Sequence, residues 1–161
     1  MLDLLPDLFD LHQDKLTFIP LPAKHFGGRQ IFYGEVITVR CHRDNSMVKQ
    51  TLAQSGQGKV LVVDGGGLLD HALLGDLIAD SAQTNGWQGV IINGCVRDVG
   101  TLATIDLGVM ALGAHPLKTV KLGQGEINQV VTIAGVKIIP GSIIYADANG
   151  IAISQAPILK L

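Results

Sequence analysis

Apolar and polar positions alternate along the middle of the chain in two unlike patterns. "KVLVVD", residues 59–64, holds four apolar residues in succession, three of them valine, and runs into three glycines. An unbroken β-branched run bounded by glycines predicts a strand buried on both faces. A second such run, Val90-Ile91-Ile92 in "GVIINGCVRD", predicts another. Between them, "HALLGDLIADSAQTNGW" places Leu74, Leu77, Ile78 and Ala82 at helical spacing, with Gly86 as the residue past the helix end. Strand, loop, helix and strand in that order predict a parallel pair joined by a crossover, with both strand C-terminal ends at one edge.

The flanks extend this unit. "PDLFDLHQD" near the start predicts a short helix, and "YGEVITVRC" a strand with Val36, Thr38 and Arg40 opposite Ile37, Val39 and Cys41. "SMVKQTLAQSG" predicts a helix with Met47, Val48, Leu52 and Ala53 on one face and Gly56 at its end. After Asp98 a second crossover is expected through "TLATIDLGVMALGAHP". The short runs "QVVTIAG", "VKIIPG", "SIIYAD" and "GIAIS", separated by glycine-containing turns, predict β hairpins. No repeat or low-complexity tract divides the chain, so residues 1–161 read as one α/β domain: a mixed sheet with a parallel β-α-β core and flanking β hairpins.

Composition narrows the function. Hydrophobic residues make up 47% and charged residues 16%, which excludes a solvating, disordered segment. A net charge of −2, a pI near 6.2 and 4% aromatics supply neither a basic footprint nor stacking rings, so no direct nucleic-acid partner is expected. Two cysteines, Cys41 and Cys95, match no zinc spacing and read as free thiols in a reducing compartment. The first 14 residues carry acids and a proline where a signal peptide needs a basic start, and no apolar stretch reaches bilayer length. The expectation is a cytoplasmic protein without a membrane partner.

Three polar features fall at the predicted strand edge. "DGGG", Asp64 to Gly67, is either a tight turn or a loop that admits a ligand to the backbone; it is neither GxGxxG nor a Walker motif. If a helix starts near Gly75, the N–H groups of Gly75, Asp76, Leu77 and Ile78 suit an anion, although Asp76 could equally cap its own helix. Arg97 offers a fork of donors for a carboxylate or an enolate oxygen, and Asp98 offers hard oxygens for Mg²⁺ or Mn²⁺. An isolated Arg-Asp pair is ordinary surface, and neighbours on an extended strand point to opposite sides, so a turn is needed to aim both at one ligand. The five histidines show no metal spacing, though His71 follows the glycine loop closely, and no GxSxG is present.

Over almost its whole length the sequence resembles the family of the regulator of ribonuclease E activity A and the class II 4-hydroxy-4-methyl-2-oxoglutarate aldolases. The resemblance is carried by "FGGR" at 26–29, "GKVLVVDGGG" at 58–67, "ALLGDLIADSAQTNGWQGVIINGCVRD" at 72–98, "LGVMALGAHPLKT" at 107–119 and "PGSIIYADANGIAIS" at 140–154. Most diagnostic is an aspartate, twenty residues, then Arg-Asp, matched by Asp76 and Arg97-Asp98. The resemblance implies a swivelling β/β/α domain, a homotrimer and a small 2-keto acid substrate. It implies substrate contacts from Arg97 and the backbone of Gly75, Asp76, Leu77 and Ile78, and a divalent metal on Asp98, with Asp76 helping from behind the direct ligands. It also implies catalytic roles for Arg97 and Asp76, and a metal-linked water as the base. The implied reaction is cleavage to two pyruvates, with oxaloacetate decarboxylation through the same enolate. It also implies a competing role, binding and inhibition of ribonuclease E without catalysis. One departure stands out: Thr101 lies three positions after Asp98, where many aldolase members carry an acid, which bears on metal affinity and rate.

Overall fold

The computed structural model describes residues 1–159. The chain opens with helix α1 (Leu5–His12), with Pro6 in its first turn, and a 3₁₀ turn at Gln13–Lys15. Strands β1 (Thr17–Ile19), β2 (Lys24–His25) and β3 (Phe32–Arg40) follow. Then come α2 (Ser46–Leu52), β4 (Lys59–Asp64), β5 (Ala72–Leu74), α3 (Asp76–Thr84) and β6 (Gly89–Val96). A four-residue α4 (Val99–Leu102) leads to β7 (Gly108–Ala114). The remainder is β8 (Glu126–Ile127), β9 (Val131–Ile133), β10 (Val136–Ile138), β11 (Ile143–Asp147) and β12 (Gly150–Ser154).

Ten strands form one mixed sheet in the order β1-β12-β11-β3-β4-β6-β7-β2, with β5 paired to β6 and β8 to β3. The centre, β3-β4-β6-β7, is parallel, and the antiparallel strands lie outside it. Parallel neighbours in chain order put their crossovers on one side. Val39, Leu61, Val63, Val90, Ile92, Val109 and Ala111 meet α2, α3 and α4 on that side through Val48, Leu52, Ala79, Ala82 and Leu102. The alternate residues Val36, Val60, Val62, Ile91 and Met110 pack on the opposite side against Val131, Ile133 and Ile138 of the β9–β10 hairpin. The period of two is intact, but both faces are covered, so the sequence shows an unbroken apolar run. Hairpin, sheet and helices make the β/β/α arrangement the resemblance implied. No helix among the described residues is long and apolar enough to cross a membrane.

Three sequence expectations are corrected. Leu74 belongs to a strand, β5, where it is buried and paired with Val96, and the helix begins only at Asp76. Leu77, expected on the buried helical face, is 82% exposed. Residues "GVMALGA" form a strand parallel to β6, which leaves α4 as the only helical turn of the second crossover. In addition, α2 ends at Leu52 with Ala53 as its cap, and Gly56 instead lies flat against the Trp87 ring, where a Cβ would collide.

Candidate active site at the start of helix α3

The parallel centre delivers the C-terminal ends of β5 and β6 to the same edge. Arg97 N–H donates to the Leu74 carbonyl at 2.9 Å, which extends that pairing one residue past β6. The chain then turns sharply, because Asp98 adopts the left-handed conformation, φ 56° and ψ 40°, and caps α4. Aspartate tolerates this region better than most residues, at a cost of about 1 kcal/mol. This is the turn the sequence required for neighbouring Arg97 and Asp98 to serve one cavity. Strain of this kind is characteristic of functional sites.

Helix α3 starts directly opposite. Its N-cap, Gly75, has no side chain, and the Asp98 carboxylate reaches in to accept the Asp76 N–H through Oδ2 at 3.0 Å. Asp76 Oδ1 accepts the next donor, Leu77 N–H, at 2.9 Å. The sequence expectation of four free N–H groups is therefore corrected: Asp76 and Leu77 already have carboxylate acceptors. Gly75 and Ile78 N–H remain without side-chain acceptors among the described residues. Asp76 does both things the sequence left open, engaging its own helix and lining the cavity.

Arg97 Nε lies 3.9 Å from Asp98 Oδ2, with the two side chains 38% and 35% exposed. A pair this long and this wet holds little energy, so the guanidinium stays available to a ligand. The same crowding bears on Gly75. A Cβ there would stand 2.6 Å from Asp98 Oδ2 and 3.3 Å from Arg97 Nε.

Around these residues is a cavity of about 250 Å³, walled by Ala72, Leu74 and Ile78 and opened by Arg97, Asp98 and Asp76. All six predicted site residues (Gly75, Asp76, Leu77, Ile78, Arg97 and Asp98) line it. Sequence reasoning missed Lys49, Lys118 and Lys121, which line it too. The spacing "KTVK" at 118–121 was the available signal, unreadable without knowing where that segment returns.

The "DGGG" loop and His71 do not line this cavity. Asp64 Oδ1 accepts Gly66 N–H at 3.0 Å and Asn93 Nδ2 at 3.2 Å, while Gly65 and Gly67 N–H both donate to the Asn93 carbonyl. Gly66 and Gly67 each have φ +71°, so the glycines serve a tight turn stitched to β6. His71 Nδ1 is 3.0 Å from Asp70 Oδ1, and Asp70 is also gripped by Arg43 at 2.7 Å.

The donor set decides which metal could fit. Among the described residues no three His, Cys, Asp or Glu side chains converge, so a closed zinc-type cage is absent. Asp98 Oδ1 has no hydrogen-bond partner among the described residues, and Asp76 adds a second carboxylate in the same cavity. One or two carboxylates facing water are what Mg²⁺ or Mn²⁺ takes while keeping most of its hydration. The residues fit such an ion.

The chain is 61% identical over 155 residues to a protein of Shewanella oneidensis provisionally named 4-hydroxy-4-methyl-2-oxoglutarate aldolase, covering 96% of this chain and 94% of that protein. A relative from Pseudomonas fluorescens with the same provisional name is 53% identical, covering 95% and 94%. Among solved structures, the RNA-processing inhibitor RraA from Thermus thermophilis superposes with a TM-score of 0.94 at 40% identity, covering 100% of this chain and 98% of that one. A structure described as an S-adenosylmethionine:2-dimethylmenaquinone methyltransferase from Geobacillus kaustophilus also reaches 0.94, at 39% identity and 97% coverage of both. Three different functional names on one fold leave the site, not the fold, to decide the chemistry. The sequence model of the RraA-like family, described as Aldolase/RraA, matches residues 5–153, and the chain belongs to that family.

Proposed function

We propose that the protein is a divalent-metal-dependent lyase that cleaves 4-hydroxy-4-methyl-2-oxoglutarate to two pyruvates and decarboxylates oxaloacetate as a side reaction. The observation that carries this reading is the convergence of Arg97, Asp98 and the first turn of α3 on one cavity. The provisional aldolase names of the relatives support it.

The bound 2-keto acid would place its carboxylate at the start of α3, where Ile78 N–H and the helix dipole favour an anion. Arg97 would reach the keto oxygen. Cleavage breaks the C3–C4 bond: the 4-hydroxyl loses its proton, C4 becomes the keto carbon of one pyruvate, and the bond's electrons move onto C3 and the former keto oxygen. Protonation at C3 then yields the second pyruvate. Arg97 bears a permanent charge beside the oxygen on which negative charge grows, so it stabilises the transition state more than the substrate. Asp76 Oδ2, which has no hydrogen-bond partner among the described residues, would hold the water that takes the hydroxyl proton. Mg²⁺ or Mn²⁺ held by Asp98 would supply Lewis-acid stabilisation of the same enolate charge. Oxaloacetate loses carbon dioxide through an identical electron flow, which accounts for the side reaction.

The test is a coupled pyruvate assay on both substrates with Mg²⁺ or with EDTA. Turnover should need the metal and should largely vanish in Arg97→Ala and Asp98→Ala. Equal rates in EDTA, or wild-type rates from both variants, would sink the mechanism. The likeness to RraA along the whole chain favours a second reading, a protein that binds ribonuclease E and lowers its activity. A pull-down with ribonuclease E at physiological salt checks that reading, and no retention counts against it. We further propose assembly as a homotrimer, to be checked by light scattering.

A further inference from the structure

We propose that Lys118 and Lys121 bind the distal carboxylate of the substrate and make this site select 2-oxo dicarboxylates over monocarboxylates. The proposal deepens the lyase reading and rests on its placement of the 2-keto end at Arg97 and α3.

Charge is the first observation. Four cationic side chains, Lys49, Arg97, Lys118 and Lys121, line the cavity against two carboxylates, Asp76 and Asp98. Neither Lys118 nor Lys121 has an ion-pair partner among the described residues, whereas Arg29, Arg40 and Arg43 are each paired with an acid. Arg97 accounts for one carboxylate or enolate oxygen. The lysine charges exceed what a monocarboxylate can use.

Unpaired surface lysines are common, and what distinguishes these two is how their backbone is held. Buried Asp44 accepts Leu122 N–H at 2.9 Å and Gln124 N–H at 3.0 Å. Buried Thr119 donates its hydroxyl to Asn45 Oδ1 at 2.8 Å and accepts Asn45 N–H at 3.2 Å. Asn45 in turn donates to the Leu73 carbonyl at 3.0 Å, and Ala72 N–H donates to the Leu117 carbonyl at 2.7 Å. The segment 117–124 is thus fastened on both sides of each lysine to β5 and to the start of α2. Five of these hydrogen bonds fix the backbone that carries Lys118 and Lys121, which line the cavity from a segment that follows β7, whereas Arg97 lines it from the end of β6. A ligand with an anionic group at each end spans such an arrangement, and a pre-placed cation binds a carboxylate at a lower ordering cost than a mobile one.

The experiment is calorimetric titration of the Mg²⁺-loaded protein with 2-oxoglutarate and with pyruvate. 2-Oxoglutarate has both carboxylates but no 4-hydroxyl, so it binds without being cleaved. The wild type should prefer it over pyruvate by at least about tenfold. Lys118→Met/Lys121→Met, which keeps the apolar stems, should erase that preference while pyruvate affinity stays within about twofold. A preference that survives the double substitution, a parallel loss of pyruvate binding, or no preference in the wild type would overturn the proposal. The readout is independent of turnover, so a protein that selects dicarboxylates through these lysines but cleaves nothing would refute the lyase reading and leave this one standing.

Discussion

Asp98 accepts the main-chain N–H of Asp76 at 3.0 Å, a contact that joins the end of β6 to the start of α3 across 22 positions. It accounts for the spacing between the two acids in this chain: the crossover between β5 and β6 returns the chain to within one hydrogen bond of where α3 began. The carboxylate has one observed job, capping a helix with one oxygen, and one proposed job, holding a metal with the other, which has no hydrogen-bond partner among the described residues.

Those jobs separate in Asp98→Asn. Asparagine still offers an acceptor to Asp76 N–H and also tolerates the left-handed region, so the fold should survive with a melting temperature within a few degrees of the parent. The charge is lost, and kcat/KM should fall at least about 100-fold. Mn²⁺ binding followed by electron paramagnetic resonance should weaken in parallel. Full activity in this variant would remove Asp98 from the metal site.

Gly75→Ala tests the crowding from the other side. Gly75 has φ −130°, an extended backbone open to any residue, so alanine brings no dihedral strain. Its Cβ would instead push on Asp98 Oδ2 and Arg97 Nε, which belong to partly exposed side chains with room to swing away. Stability should change by under about 1 kcal/mol, while displacement of both groups should cost up to about 100-fold in kcat/KM. A large loss of stability with unchanged kcat/KM would mean that the glycine serves only folding.

The candidate site was legible in part because Arg97 and Asp98 follow β6, a strand the hydrophobic pattern located, and Gly75 to Ile78 lie at an expected helix start; the family resemblance then singled these residues out. The six residues named from sequence all line the cavity. What was not legible was conformation and return. "HALLGDLI" offers helical spacing from Leu74, but β5 adds three residues to the sheet edge beside β6, a pairing that depends on a partner more than twenty positions away. "GVMALGA" sets the good helix formers Met, Ala and Leu between two glycines, so local propensity does not decide, and its register against β6 makes it a strand. Lys118 and Lys121 sit in a stretch without regular structure, placed by buried Asp44 and Asn45, and no local pattern announces such a tether.

Glycines 89 and 108 illustrate the same limit within the core. They face each other in the β6–β7 register, and a Cβ on either would enter the ring of Phe32, which is 2% exposed. Together they form a socket for the Phe32 ring on the hairpin side. Gly108→Ala should cost about 2 kcal/mol by overpacking, and the cost should shrink in a Phe32→Leu background. Urea unfolding of the two single variants and the double measures the coupling. Strict additivity would show that the alanine is accommodated elsewhere.

Asp44 links stability, pH and the lysine-bearing segment. Burial pushes its carboxyl up, but hydrogen bonds from the Ser46 hydroxyl and N–H and from Gln124 and Leu122 N–H win and hold it at about 2. In the unfolded chain the same carboxyl titrates near about 3.9. Its folded value is the lower one, so the unfolded state takes up the proton first as the solution is acidified. The stabilisation from Asp44 is therefore complete above about pH 4, declines as the pH falls and is gone below about pH 2. Asp147, likewise held low by the N–H groups of Leu5, Leu4 and Asn149 against its burial, steepens the same acid limb. Asp44→Ala strands the Leu122 and Gln124 N–H groups and should cost about 3 kcal/mol at pH 7. That cost should fall away toward pH 2, because the parent carboxyl is then protonated too. Urea midpoints of parent and variant at pH 7, 4 and 2.5 check this, and an equal gap at all three would exclude Asp44 as the titrating group. Released from its anchor, the 117–124 segment should also lose hydrogen-exchange protection at Leu122 and Gln124 in the variant at pH 7.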